Sequence, residues 1–423
     1  MKVLVLGGGG REHALAAALT RDPSVEQVHV APGNPGIAAV AERHAVDPLD
    51  TVGVLRLAQQ LAADLVVIGP EAPLVAGVGD ALRSAGIATF GPGRGPAAIE
   101  GSKAFAKQVM AAAGVPTARS AVCETPAEAA SALARFGAPY VVKDDGLAAG
   151  KGVVVTGDRE SALAHAAACG RVVVEEYLDG PEVSLFAVCD GRTALAMQPA
   201  QDFKRLGDGD HGPNTGGMGA YTPLPWAPAG LVDEVHETVL QPTVAELARR
   251  GLPFVGLLYA GLALTGSGLK VIEFNARFGD PETQPLLQLL DSPLGEVLYA
   301  ASIGRLDDVG PLRWRSGAAV SVVMAAAGYP GTPRKADVIS GVADAEAVPG
   351  VQVLHAGTSR APGPSAELVT DGGRVLAVTA TADTLADARA RAYAGVARID
   401  FAGAQFRTDI AALGGSAAGL RDT

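Results

Sequence analysis

Cysteine is scarce: the chain has only Cys123, Cys169 and Cys189, with no CxxC pair and no even-numbered set. That pattern excludes a disulfide framework, argues against a thiolate zinc site, and suits a reducing cytoplasm. Long hydrophobic runs are missing too. Even AAVSVVMAAAG (318–328) falls well short of the roughly 18 apolar residues that span a bilayer. The opening MKVLVLGGGG carries one lysine and an apolar run that stops at Gly7, which reads as a buried strand and not as a signal peptide. Basic residues are outnumbered, 34 Lys and Arg against 45 Asp and Glu, for a net charge of −11. This excess argues against nucleic acid or an anionic membrane as partner. It also requires that any anionic ligand be bound by local arrays of amides, lysines and arginines.

What is present is globular. Hydrophobic residues make up 48% and charged residues 19% of 423, too long for one ordinary core and enough for roughly two to four domains. The first hundred residues alternate short apolar runs (VLVLG, QVHVAPG, DLVVIGP, IATFGP) with helical stretches such as REHALAAALT and TVGVLRLAQQLAA. Such alternation predicts a parallel sheet covered by helices, with ligands at the carboxyl ends of the strands. Each run ends in a glycine turn: Gly7–Gly10, Gly33–Gly36, Gly69-Pro70-Glu71 and Gly91-Pro92. A second unit starts near GSKAFAKQVM with Ser102 as a helix N-cap, and turns strand-rich (PYVVKDDG, GVVVTG, RVVVEEYLDG, EVSLFAVCDG). A long helix over 229–250 precedes a hairpin, GLLYAGLALTGSGLKVIEFNARFG. A last unit from about Trp314 ends in an Ala-rich helix.

Four glycine-bearing segments carry the chemistry. GGGGREH lacks the third glycine of a dinucleotide fingerprint, because Glu12 or His13 stands there. The turn still offers amides at a helix N-terminus to one phosphate or carboxylate, and equally serves as a turn with no ligand. KDDGLAAGKGV (143–153) is not a Walker loop: three residues, not four, separate Gly146 from Gly150, and Gly152 replaces the magnesium-binding Ser/Thr. It is either a small-residue flap over phosphates or a hairpin with an exposed lysine. HGPNTGGMGAYTP (211–223) has four glycines and two prolines, which disfavour both a helix and a central strand. In KVIEFNARFGDPET (270–283), strand alternation puts Glu273, Asn275 and Arg277 on one face, and Ile272, Phe274 and Ala276 on the other. Glu273 and Asn275 supply the hard oxygens magnesium needs, and Arg277 a planar fork for a phosphoryl oxygen; the alternative is a solvated face with an ion pair.

In chain order, GGGGREHAL, GPEAPLVAG, EGSKAFAK, DGLAAGKGV, GPNTGGMGAY and VIEFNARFGDPETQP resemble the phosphoribosylamine–glycine ligase family of the ATP-grasp superfamily. The resemblance runs nearly end to end, with GYPG (328–331) and HAGT (355–358) in the last unit. It implies an α/β and α+β multidomain chain. An N-terminal parallel α/β (Rossmann-like) domain would span 1–101. A two-part ATP-grasp unit would span 102–310, with its lid at about 116–187, and a C-terminal mixed β/α domain 311–423. It also implies a cytoplasmic monomer that uses ATP and Mg2+ (or Mn2+), with glycine and 5-phosphoribosylamine as substrates.

Carried over by position, the resemblance assigns Lys103 and Lys143 to the ATP phosphates, under a loop that includes Gly146, Gly150, Lys151 and Gly152. Backbone groups at Glu175, Glu176, Tyr177 and Leu178 would read adenine, and Glu182 the ribose. Glu273 and Asn275 would carry the metal and Arg277 would steady the transferring phosphoryl, making Arg277, Lys143 and Lys103 the catalytic set. Gly9, Gly10, Arg11, Glu12, Asn34, Gly36, Pro70 and Glu71 would form the phosphoribosylamine pocket. Asp202, Lys204, the loop Pro213, Asn214, Thr215, Gly216, Gly217, Met218 and Gly219, and the turn Asp280, Pro281, Glu282 and Thr283 would hold glycine and its activated form. Asp144 stands where the family usually has Ala; strand alternation points it away from Lys143. The missing fingerprint glycine argues against an NAD-linked oxidoreductase. The Glu273/Asn275/Arg277 face argues against a non-catalytic nucleotide binder.

Overall fold

The computed structural model describes residues 1–146, 152–363 and 366–412. Its first unit is a five-stranded parallel sheet in the order β3-β2-β1-β4-β5, from β1 (Lys2–Gly7), β2 (Gln27–Pro32), β3 (Glu42–Arg43), β4 (Leu65–Ile68) and β5 (Ala88–Phe90). The continuous apolar runs follow from burial of both faces. Leu4 and Leu6 pack with Val54, Leu57 and Leu82 of the covering helices. Val3 and Val5, pointing the other way, join a cluster with Phe186, Leu257, Val323 and Leu354 from later in the chain.

A lid follows: an antiparallel sheet β6-β9-β7-β8, from β6 (Ser120–Cys123), β7 (Tyr140–Asp144), β8 (Val153–Thr156) and β9 (Val172–Glu175). Its helices Pro126–Phe136 and Arg159–Ala168 close a core of its own, built on Leu133, Val142 and Val174. The hub is a second antiparallel sheet, β11-β10-β16-β17, from β10 (Glu182–Asp190), β11 (Ala194–Ala196), β16 (Val255–Thr265) and β17 (Gly268–Asn275). The expected helix before this hairpin runs Leu231–Arg249 through a π-helical stretch, His236–Leu240. Pro242 lies just past that stretch, where its missing N–H breaks the regular ladder.

The last sheet has the order β12-β15-β18-β22-β19, from β12 (Gln201–Asp202), β15 (Gly219–Thr222), β18 (Ala318–Ala325), β19 (Val351–His355) and β22 (Arg374–Ala382). The helix Leu385–Val396 packs on it. Two short ribbons, β13 (Arg205–Gly207) with β14 (His211–Asn214) and β20 (Thr358–Arg360) with β21 (Leu368–Thr370), stand beside it. β15 corrects the reading of residues 211–223. Its four residues form an internal strand, buried between β12 and β18. Glycine is tolerated there because a Cβ on Gly219 would stand 2.7 Å from the Ser321 carbonyl oxygen.

The first and last units are locked together by polar groups. Asn34 Nδ2 donates to the carbonyls of Gly8 (2.9 Å) and His355 (2.7 Å), and His13 Nδ1 accepts from the His355 N–H (2.8 Å). Burial, with His355 beside it, holds the His13 pKa down to about 3, and burial, with Arg360, holds His355 down to about 4. Both rings stay neutral where an unfolded histidine, near pKa 6.5, takes up a proton. Their stabilisation is therefore present above pH 6.5 and is lost as the pH falls toward 4. His355→Gln is expected to flatten the dependence of unfolding free energy on pH between 6.5 and 5 by up to about 1.4 kcal/mol per unit. Denaturant titrations at each pH would measure it, and an unchanged slope would exclude the pair from the acid response.

Candidate active site

The site is organised by an irregularity in β17. Gly261 pairs with Glu273 but Leu262 pairs with Val271, so Ile272 is an extra residue in the β16–β17 ladder. The bulge shifts the alternation: Leu269, Val271, Phe274 and Ala276 enter the core, while Ile272 stays half-buried. Strict alternation had put Ile272 among the buried set, and the bulge reverses that. The Ile272 carbonyl accepts from Lys143 Nζ at 2.9 Å. Glu273 and Asn275 are half-buried, and neither side chain is held by a hydrogen bond or ion pair among the described residues. Two free oxygen donors on a rigid strand fit a hard divalent cation. Arg277, just past the strand, lies 3.4 Å from Glu71 and 3.2 Å from Glu100. Burial would lower its pKa, but Glu100, Glu71 and Glu282 outweigh burial and raise it. Its buried Nε makes no hydrogen bond among the described residues; it is the atom that faces Glu71 Oε2 at 3.4 Å, an ion pair without hydrogen-bond geometry.

Opposite lies a cluster of carboxylates around one lysine. Lys204 pairs with Glu182, and Asp202 lies 3.9 Å from its Nζ. Burial lowers the Lys204 pKa, but Asp202, Glu182 and Glu273 outweigh burial and hold it well above the ordinary value. Burial, against the pull of Lys204 and with the push of Glu282 and Glu182, drives Asp202 up to about 7. Glu282, buried, accepts from Tyr259 at 2.7 Å, and Tyr259 in turn meets Ser184 at 2.8 Å. Thr283 turns inward and donates to the Gly279 carbonyl (2.6 Å).

The N-terminal turns come to the same place, but several side chains are committed to the scaffold. Glu12 accepts from the Gly9 N–H (2.7 Å) and pairs with Arg11 (2.6 Å), whose guanidinium also donates to the Phe278 carbonyl (3.1 Å). A Cβ on Gly69 would fall 2.1 Å from Glu12 Oε1, so only glycine lets the β4 turn pass over that carboxylate. Asn34 spends its amide on backbone groups, Oδ1 included, which accepts from the Ile37 N–H at 3.0 Å. What these turns leave uncommitted among the described residues is the backbone N–H of Gly10 and of Gly36 and the Pro70-Glu71 turn, while Arg11 is held by Glu12 and the Phe278 carbonyl. A Cβ on Gly36 would press on His355 and His13 at 2.5 and 2.6 Å.

On the lid side, Lys103 Nζ donates to the Gly146 carbonyl (2.9 Å) from the first turn of the helix Lys103–Ala113, which Ser102 caps. Glu175 is clamped between Lys107 and Lys143, each 3.0 Å away. Its side chain is thus a fixed brace, and its backbone pairs with Ser120 of β6 and Val141 of β7. Glu176 pairs with Arg119 (2.6 Å) and Lys270 (3.4 Å); Tyr177 is exposed, Leu178 half-buried. Gly152 is described; Gly150 and Lys151 lie outside the described residues. Burial, with Asp144 nearby, raises the pKa of Cys169, which puts Asp144 on the helix side of β7, away from the Lys143–Glu175 pair.

Pro213 and Asn214 of β14 face the lid across a cleft shared with Val153, Val155, Arg205 and Pro330. Thr215 folds back onto the Lys204 carbonyl through both its N–H (2.7 Å) and hydroxyl (2.9 Å), and Met218 is fully buried. Gly217 has φ +110°, and a Cβ there would strike Pro281 at 2.4 Å, so the loop and the Asp280-Pro281 turn touch only through glycine. Arg374, at the start of β22, donates to the carbonyls of Gly216 (2.5 Å) and Asp280 (2.6 Å), with its Nη2 3.4 Å from the Asp280 carboxylate. The Gly216 N–H donates to the Tyr329 hydroxyl (2.8 Å). Sequence reasoning missed Arg374, Glu100, Lys107 and Tyr259. Tyr329 lies inside GYPG and Glu100 opens EGSKAFAK, so those motifs pointed at them; no pattern marks Arg374.

A lid with its own core, closing over a hub strand that offers free oxygen donors and an arginine, defines an ATP-grasp ligase built onto a parallel α/β unit. Comparisons with known proteins name the branch. Residues 1–100, 101–283 and 319–413 match the phosphoribosylglycinamide synthetase N domain, ATP-grasp (A) domain and C domain. A phosphoribosylamine–glycine ligase of Streptomyces coelicolor is 66% identical over 414 residues, 97% of this chain and 99% of that one. One of Mycobacterium leprae is 57% identical over 97% of each chain. The crystal structure of phosphoribosylamine–glycine ligase from Thermotoga maritima superposes with a TM-score of 0.82 at 33% identity, covering 97% of this chain and 100% of that one. A biotin carboxylase domain from Hydrogenobacter thermophilus, at 17% identity and a TM-score of 0.70 over 96% of this chain and 91% of that one, shares the fold. The chain belongs to the phosphoribosylglycinamide synthetase family.

Arg374→Ala removes a charged donor from the Gly216 and Asp280 carbonyls, an interaction of about 1.5–3 kcal/mol. Amide exchange at 215–218 is expected to accelerate roughly 10- to 100-fold while exchange in the lid core is unchanged. Equal rates in both proteins would show that Arg374 does not hold the loop.

Proposed function

We propose that this protein joins glycine to 5-phosphoribosylamine at the expense of ATP, giving N1-(5-phosphoribosyl)glycinamide, ADP and phosphate in purine synthesis. Family membership supports the reaction, and one observation carries it onto this chain: Glu273 and Asn275 stand without a hydrogen bond or ion pair among the described residues, beside an Arg277 that Glu71 and Glu100 hold in place. A carboxylate is a poor acyl donor, so the γ-phosphoryl first moves to the glycine carboxylate, forming glycyl phosphate and releasing ADP. The ribosylamine nitrogen then attacks the carbonyl carbon; the C–N bond forms, the C–O bond to phosphate breaks, and the nitrogen gives up a proton. Catalysis of such a transfer is mainly positioning and charge neutralisation.

Glu273 and Asn275 hold Mg2+ or Mn2+, which when bound neutralises phosphoryl oxygens. Arg277 would meet the migrating group, its guanidinium placed by Glu71 at Nε and by Glu100 at Nη2. Lys103 and Lys143 take the phosphates beneath the lid loop that includes Gly146, Gly150, Lys151 and Gly152. The backbone from Glu175 to Leu178 reads adenine. Glu182 meets the ribose by exchanging its present partner, Lys204. Loop 213–219, Asp202, Lys204 and the 280–283 turn surround glycine, and the N-terminal turns hold the phosphoribosylamine. The protein works as a cytoplasmic monomer.

A coupled ADP assay, with the amine generated in situ, tests the assignment by leaving out glycine and the amine in turn. ADP release that needs neither, or that accepts another acid or amine equally well, would overturn it. Glu273→Gln is expected to lower kcat by at least about 100-fold with the melting temperature preserved; near-normal turnover would remove Glu273 from the mechanism. Asp144→Ala should leave the KM for ATP within about twofold, because Asp144 faces Cys169. A large fall in KM would place Asp144 on the phosphates instead.

A further inference from the structure

Far along the N-terminal sheet from the hub, its edge carries a second set of metal-binding side chains. His29 of β2 and Glu42 of β3 are register partners in a parallel pair, and His44 follows two residues after Glu42. The register therefore brings all three side chains to one side. His29 Nδ1 is 3.0 Å from His44 Nε2, His29 Nδ1 is 3.5 Å from Glu42 Oε2, and His44 Nε2 is 3.8 Å from Glu42 Oε1. A tetrahedral zinc site with bonds of about 2.0–2.1 Å separates its donors by roughly 3.3 Å. The two imidazole nitrogens are already near that spacing, and with a single Glu42 oxygen taken all three donors lie within 4.8 Å of one another, so a small side-chain adjustment of the exposed Glu42 completes three corners.

We propose that His29 Nδ1, His44 Nε2 and the Glu42 carboxylate form a binding site for a borderline divalent transition metal of the zinc class. Two imidazoles and a carboxylate select such an ion over Mg2+, which demands an oxygen shell. The site is distinct from the Glu273/Asn275 pair in both place and chemistry. His29 is buried and set by the sheet, His44 is largely buried, and the Glu42 side chain is 68% exposed, so solvent reaches the fourth position past Glu42. Two imidazole nitrogens facing each other need a shared proton or a cation between them. The outer nitrogen of His29, Nε2, is buried without a hydrogen-bond partner among the described residues, so no described neighbour fixes the tautomer. The missing outer acceptor also lowers affinity by about 10- to 100-fold relative to a fully supported ligand, which puts the dissociation constant in the micromolar range. Arg43, between the two β3-side ligands, donates to the Pro32 carbonyl at 3.0 Å, where the turn leading to Asn34 and Gly36 begins. A bound ion would staple the strands on both sides of that turn.

The test is isothermal titration of the full chain with Zn2+ in millimolar Mg2+, beside melting curves and Co2+ absorption. One Zn2+ per chain is expected, with a rise in melting temperature that tracks the isotherm and Co2+ bands of four-coordinate intensity. His44→Ala and Glu42→Gln are expected to weaken Zn2+ binding at least tenfold and to lose the Co2+ bands. Absence of one-to-one binding would overturn the proposal. So would wild-type affinity in both variants, or binding that disappears in Glu273→Gln and persists in His44→Ala.

Discussion

Arg277 is the fixed point around which the molecule is assembled. Its guanidinium sits between Glu71, from the helix after β4, and Glu100, from the helix that leads into the ATP-grasp unit, while its own backbone continues β17. Glu100 is further pinned by the Ala276 N–H at 2.8 Å. Two carboxylates on one arginine repay the desolvation of a buried charge more fully than a single pair does, and cutting one away leaves the others costly. The first unit, the hub and the turn at 278–283 are therefore held in one relative position. Only a site fixed in that way can present donors from three parts of the chain to one phosphorus.

The lid is built on the opposite principle. Leu133, Val142 and Val174 make a core separate from the hub's, so the lid can keep its fold while its distance from the hub changes. It is tethered by polar contacts at its root: Lys143 to the Ile272 carbonyl, Glu175 to Lys107, and Asp145 to Ser102 and the Ala104 N–H. These groups cluster where the β17 bulge lies. A regular strand would have paired the Ile272 carbonyl in the ladder; the bulge frees it to receive the lysine that the lid carries.

How much of this was legible in the sequence depends on whether local periodicity or tertiary pairing decided the outcome. The parallel first unit was legible because each strand is a short apolar run closed by glycine, and burial on both faces leaves no other composition. Ser102 as a cap and the hairpin before Asn275 were legible for similar local reasons. Ile272 was not, because a bulge is set by register with β16 and leaves no mark in an alternating sequence. Gly219–Thr222 was misread because glycine's cost in a strand is repaid by close approach to Ser321, a partner a hundred residues away. Asn34 and Glu12 lie at the glycine turns after β2 and β1, and their side chains hold those turns up; a polar residue beside a glycine looks the same in sequence whether it binds a ligand or the backbone. Arg374 was invisible since its two acceptors are carbonyls, which any residue carries.

A chain of net charge −11 that binds polyanions has to solve a local problem, and the site shows how. Glu182, Asp202 and Glu273 act on a single lysine, with Glu282 close to Asp202; burial first, and then Glu282 and Glu182 against the pull of Lys204, push Asp202 up to about 7. Each added anion would make this worse unless positive charge arrived with it. In the proposed reaction Glu273 and Asn275 would admit a cation beside the phosphoryl groups, and Arg277, Lys103 and Lys143 would supply the remaining positive charge. On that reading the same carboxylates that would repel a bare nucleotide favour one that comes with its metal. Acidity in this pocket is a requirement for the paired ligand, and the long-range field of the protein has no part in capturing it.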